Sequence, residues 1–213
     1  TPAFNDDDDR QSSRMTRRAL VGGIGIGMAT GLSGCLGGDG GCDPPEAGAD
    51  RTGCDFSGQD FSGQDLSGAT LVEADLSQAD LSEADLSEAD LSNALLVEAT
   101  LNGADLTGAT LKNADMTRAS ADGIVAEGAD FGQARIQGMT FQNADLRESN
   151  LSETWGAEDD WQMDDIDTAP PEDNVDFTDA NMSGANMEDA WWPGAVMHGA
   201  DLDNADASGV RWF

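Results

Sequence analysis

The chain has 213 residues, 42 acidic and 10 basic, for a net charge of −32, with one His, three Cys and no Tyr. Such acidity excludes charge-driven binding to nucleic-acid backbones or anionic membrane surfaces. It leaves room for cationic partners, for solubility in high salt, or for imitation of a polyanion. Catalysis has little to build on: His198 stands alone, without an evident nucleophile or base partner.

In chain order, residues 1–34 read as an export signal and not as part of the fold. Thr16-Arg17-Arg18-Ala19-Leu20-Val21 resembles a twin-arginine signal, with Arg17 and Arg18 as the pair. An uncharged, Gly-rich stretch from Ala19 to Gly34 follows, too short for a confident membrane span. It ends in Leu32-Ser33-Gly34-Cys35, which looks like a lipobox with Cys35 lipidated and first in the mature chain. The other reading is an uncleaved hydrophobic anchor; both tether the protein outside the membrane. Met15 is an alternative start. Removing residues 1–34 leaves 38 acids against six bases, so the acidity belongs to the mature domain. Residues 35–53 are rich in Gly, Pro and Asp and are expected to form a flexible tether.

If Cys35 carries lipid, Cys42 and Cys54 remain, and an even pair in an exported chain points to a disulfide. The alternative is a buried free thiol at Cys54 and an unrelated Cys42.

From Phe56 to Leu151, twenty consecutive positions spaced by five carry a large apolar residue, with two alanines (Ala121, Ala126) as the exceptions. Two residues before each sits a small residue, usually Ala, as at Ala69, Ala74, Ala79, Ala84 and Ala89. A period of five fits neither helix nor strand and marks a repeat architecture. It also gives each repeat something to bury, which argues against disorder over residues 54–151. The unit is Ala-(Asp/Asn/Thr)-Leu-(Ser/Thr/Asn)-x, as in ADLSQ and ADLSE. This resembles the pentapeptide-repeat family over residues 54–151 and 175–212. The resemblance implies an all-β fold, a right-handed quadrilateral β-helix with four pentapeptides per coil and both the Leu and the small residue pointing inward. Residues 20 apart then share a column. Corner Asp, Asn and Ser are expected to hydrogen-bond their own backbone. In the coil that carries Ala121 and Ala126, Ile124 takes a small-residue position and Phe131 follows, as dense packing would demand. A locally irregular but unbroken coil is expected there.

Residues 152–174 (SETWGAEDDWQMDDIDTAPPEDN) break the register, and it restarts shifted by one at Phe177 and Met182. About seven coils with one inserted acidic loop are expected, and residues 175–213 continue the helix and end it. Trp155 and Trp161 on that loop are either a recognition surface or rings folded back as a cap. Trp212 and Phe213 are expected to cap the last coil or to build a homodimer interface at the C-terminal end.

Stacked carboxylates, Asp65 with Asp85 and Asp105, and Asp60 with Asp80, invite a cation. The preferred reading is a hydrogen-bonded, solvated acidic face without a dedicated metal site, and no cofactor is expected. Like charges in a column repel, so salt should stabilise the fold. The acid excess fits an exported protein of an extreme halophile. Asn150 and Asn181 each begin an Asn-x-Ser glycosylation triplet.

Together these features describe a non-enzymatic, lipid-anchored module on the outer face of the cytoplasmic membrane, displaying an acidic surface to an unidentified protein partner. Some pentapeptide-repeat proteins imitate DNA and bind type II topoisomerases. That is the alternative; export argues against it.

Overall fold

A computed structural model describes residues 42–156 and 174–212. Its organising element is a ladder of parallel bridges in which residue i pairs with i+20, from Asp50↔Thr70 to Arg135↔Trp155. Four bridges per twenty residues define four walls. The separation then rises to 36, as in Thr140↔Asp176 and Trp155↔Trp191, and returns to 20 at Asp176↔Val196. The four columns therefore continue across residues 157–173.

The repeat Asp85-Leu86-Ser87-Glu88-Ala89 shows why this sequence adopts this path. Every backbone N–H has an acceptor. Asp85 donates to Gln64 O in the preceding coil at 2.9 Å, while Leu86 and Glu88 donate to Asp105 O (2.7 Å) and Thr107 O (2.9 Å) in the next. Ala89 closes the turn on Leu86 O at 3.0 Å. Ser87 N, which faces no coil, donates to the Asp85 carboxylate at 3.0 Å. Asp precedes Leu because its side chain satisfies the one donor the ladder leaves over. The slot of Glu88 sits at positive φ throughout: Gly58, Gly63 and Gly68 there have φ near 65°, and Glu73, Gln78 and Glu83 are held near 58°.

The centre and small positions form one continuous core. Phe56, Phe61, Leu66 to Leu111, Met116, Phe131, Ile136, Phe141, Leu146 and Leu151 are all buried, as are the alanines between them. The coil with Ala121 and Ala126 is unbroken: Ser120 and Val125 pair on both sides. Its irregularities are a turn bond of 3.4 Å at Ile124 and a spare donor, Asp122 N, that bonds Asn102 Oδ1 of the preceding coil at 2.9 Å and not its own repeat. Ile124, Met139 and Phe141 are buried there, and Phe131 and Phe141 meet edge to face at 6.0 Å.

Two boundaries differ from the sequence reading. The tether ends early: Gly48 N donates to Ser67 O at 2.8 Å and Asp50 is already in the ladder. Turn residues in a Gly-rich stretch look like linker until a neighbouring coil supplies their acceptors. Cys42 is joined to Cys54 by a disulfide with a Cα–Cα distance of 5.5 Å, which holds residues 42–48 beside the first coil, with Pro45 buried. At the other boundary, the register does not stop at Leu151. Trp155 occupies a bridge slot and Gly156 a centre slot, its N–H donating to Trp191 O at 2.8 Å. The centre is empty of side chain because Val175 and Trp192 fill it: a Cβ on Gly156 would stand 2.7 Å from Val175 Cγ2 and 3.1 Å from Trp192 Cδ1. Trp192 is fully buried, and its indole N–H donates to Thr154 Oγ1 at 2.9 Å. Stacked Phe141 and Phe177 (5.2 Å), then Trp192 (4.9 Å) and Trp212 (5.6 Å), carry the core across the change of register.

Candidate interaction surface

The walls are built from the slot just before each centre residue. Where that slot is Asp, the carboxylate is occupied by its own repeat. Asp60 accepts from Ser62 N at 3.0 Å and Ser62 Oγ at 2.7 Å; Asp65 does the same with Ser67 at 3.1 and 2.7 Å. These serine donors hold both carboxyls below the ordinary aspartate range, because each bond favours the charged form. Asp65, Asp85 and Asp105 do stack in one column, as do Asp60 and Asp80. Among the described residues, no group of three or more His, Cys, Asp or Glu is placed to hold a metal ion.

One column departs from this pattern. It runs Asp55, Asp75, Leu95, Asp115, Arg135, Trp155, Trp191, Arg211. Within it the chemistry changes from carboxylate to an Arg-Trp-Trp-Arg ladder, in a domain that has few bases. Trp155 is 44% exposed and meets Trp191 nearly at right angles, 79° between planes and 5.3 Å between ring centres. Arg135 reaches back to Asp115 at 3.9 Å. Glu153, Trp155, Asp189, Trp191 and Arg211 line an open depression of about 270 Å³. Glu153 and Asp189 come from the positive-φ slots of successive coils, φ 55° at each, so backbone geometry turns both carboxylates outward beside the rings. Gln133 donates to Glu153 at 2.8 Å and steadies it.

The repeat that builds this surface is recognisable beyond the chain itself. Eight copies of the family model for pentapeptide repeats match residues 49–87, 84–120, 127–155 and 180–211, more than half of the sequence. The chain belongs to the pentapeptide repeat family. Among solved structures of this family, it is similar to HetL, a pentapeptide repeat protein involved in heterocyst differentiation regulation from the cyanobacterium Nostoc sp. Strain PCC 7120. The identity is 21%, over 77% of this chain and 87% of HetL, with a TM-score of 0.46. It is similar to QnrB1, a plasmid-mediated fluoroquinolone resistance protein, at 15% identity over 74% of this chain and 90% of that one, with a TM-score of 0.46. A pentapeptide repeat protein from the Arabidopsis thaliana thylakoid lumen shares 28% identity over 58% of this chain and 78% of its own, with a TM-score of 0.38. No curated protein matches the chain significantly.

The other sequence-derived candidates distribute as follows. Arg17, Arg18, Cys35, Trp161 and Phe213 lie outside the described residues. Trp155 is not on a loop: ladder bonds fix it in the wall, because the register runs one repeat further than the apolar residues reveal. Trp212 sits in the core register against Trp192 and is partly buried with Val210. The same coil leaves Leu202 39% exposed, so Val210 and Trp212 do not cover the whole of it. Asn150 is a poor acceptor for a glycan, since its amide nitrogen donates to Asp130 at 2.8 Å and its oxygen accepts from Ser152 N at 3.1 Å. The side-chain oxygen of Asn181 accepts from Ser183 N and Oγ, at 3.1 and 2.8 Å. His198 is exposed. Trp191, Arg135 and Arg211 escaped the sequence reading. A column count of 36 across the break would have aligned Trp155 with Trp191.

Proposed function

We propose that this pentapeptide repeat protein is a non-enzymatic interaction module, exported and held on the outer face of the cytoplasmic membrane by a lipid on Cys35, with Trp155 and Trp191 as its recognition corner. The observation that carries the reading is that pair of indoles. Large rings gain nothing from an outward slot that elsewhere holds mostly Asp, Asn or Thr, and aromatic and Arg side chains are the residues that anchor partners. In this reading the solenoid is a right-handed β-helix of about seven coils with residues 157–173 as one inserted loop, which the change in bridge separation from 20 to 36 supports.

Export is supported by the order of twin arginines, uncharged stretch and lipobox, and by the Cys42–Cys54 disulfide, since such bonds persist in oxidising compartments. Fractionation with mass analysis tests it. The expected species is membrane-bound and begins at an acylated Cys35; a soluble cytoplasmic protein that retains residues 1–34 contradicts it. For the interaction, crosslinking and pull-down from native membranes should recover a partner with the parent chain and lose it with Trp155→Ala. A homodimer through the C-terminal coil is the symmetric option, supported by exposed Leu202. Light scattering distinguishes it, because Leu202→Glu should then yield a monomer.

The stacked carboxylates favour one second reading, imitation of the phosphate column of DNA before a type II topoisomerase. A supercoiling assay decides: no effect on gyrase at stoichiometric excess of the chain eliminates it.

A further inference from the structure

The recognition corner has a chemistry of its own, and the inference here rests on the corner being a recognition surface. Two indole planes at 79° form two walls of a niche. Glu153 and Asp189 stand at its rim, and Arg211 closes the side toward the next coil. Each ring face is negative, so it attracts a cation. The kind of cation follows from competition with the rest of the surface. Metal ions and primary ammonium groups are strongly hydrated or donate hydrogen bonds, and the chain offers them carboxylates on every wall. A quaternary ammonium donates no hydrogen bond and is poorly hydrated. It gains specifically where ring faces are exposed, which is the basis of aromatic cages. Arg211 adds a second requirement. A guanidinium beside the niche opposes a plain cation and supports a carboxylate.

We propose that the Trp155–Trp191 corner binds a small zwitterion that carries a quaternary ammonium and a carboxylate, the ammonium against the two indoles and the carboxylate toward Arg211. The depression of about 270 Å³ admits a molecule of that size and is too small and open to enclose a larger one. Glu153 and Asp189 balance the ammonium from the rim.

Titration calorimetry of the full chain with glycine betaine, choline and glycine separates the elements. Betaine carries both groups, choline lacks the carboxylate, and glycine lacks the methyls. Betaine is expected to bind saturably at one site, choline more weakly, and glycine not at all. Trp155→Ala should weaken betaine by about fivefold or more, the scale of one lost ring–cation contact. Arg211→Gln should bring betaine down to the level of choline, and choline itself should bind somewhat better because the opposing guanidinium is gone. Both side chains point outward, so the variants keep the ladder, and an unchanged melting temperature checks it. Glycine binding as well as betaine, or Trp155→Ala without effect on betaine, overturns the proposal. So does a betaine-to-choline ratio indifferent to Arg211→Gln. If betaine does not bind while Trp155→Ala still abolishes the partner pull-down, the zwitterion is refuted and the interaction reading stands.

Discussion

Gly156→Ala is the sharpest test of how the core crosses the change of register. The backbone argues for stabilisation: Gly156 is not among the positive-φ residues, so alanine fits its conformation and would add about 0.4–1 kcal/mol by restricting the unfolded chain. Packing argues the other way. The new methyl would stand 2.7 Å from Val175 Cγ2, 3.1 Å from Trp192 Cδ1 and 3.4 Å from Trp191 O, where carbon atoms prefer about 3.5–4.0 Å. Neither neighbour yields easily. Val175 is β-branched and fully buried, and Trp192 is pinned by its 2.9 Å bond to Thr154. Overpacking of this kind costs about 1–3 kcal/mol. The net expectation is a loss of about 1–2 kcal/mol, a fall of roughly 2–8 °C in melting temperature for a domain of this size. Thermal and urea unfolding followed by circular dichroism measure it. Val175→Ala removes the clashing methyl, so the double variant should recover at least about 0.5–1 kcal/mol relative to additivity. An unchanged or raised melting temperature in Gly156→Ala, or strict additivity with Val175→Ala, refutes the account in which Val175 and Trp192 occupy the centre position of residue 156.

Four further outcomes follow from the same structure. Ser149→Ala should stabilise by about 1 kcal/mol in urea unfolding, because Ser149 Oγ is buried without a hydrogen-bond partner while Ala129 and Ala185 fill the same slot in adjacent coils. Glu83→Gly should raise the melting temperature and Glu83→Ala should not, since the residue is held at φ 57° and left-handed backbone costs an L-residue about 1–2 kcal/mol. Acid should lower the stability of the domain. Asp145 is held below the ordinary range by Arg147, and Asp60 and Asp65 by Ser62 and Ser67. A depressed folded-state carboxyl contributes stability above its unfolded value, about pH 3.9, and loses it as pH falls further. A pH titration of stability should therefore decline below about pH 4. Salt added near pH 7 should raise the melting temperature by screening the stacked Asp columns.

The repeat was legible because its cause is local. Most pentapeptides place one large residue inward, one small residue at the turn and one side-chain acceptor for the spare N–H. Those three features recur in Leu86, Ala89 and Asp85 and print a period of five on the sequence. Cys42 and Cys54 were legible as a pair from their number alone, two cysteines left in a chain read as exported. The end of the register was misplaced because Gly156 carries no side chain to announce its slot. Its volume is supplied by Val175 and Trp192, which stand 19 and 36 residues later.

Sequence reasoning singled out Trp155 but not its neighbours Trp191 and Arg211, for the same physical reason. Composition, charge and period follow from residue types and their local order, and they suffice for the family, the inward faces and the acidic walls. Which outward residues become neighbours depends on how many residues separate one coil from the next. For most of the ladder that number is 20 and follows from the period. Across residues 157–173 it is 36, and only the pairing of Trp155 with Trp191 in space reveals it. Stacking of successive coils turns two separated tryptophans, Trp155 and Trp191, and three scattered side chains, Glu153, Asp189 and Arg211, into one site.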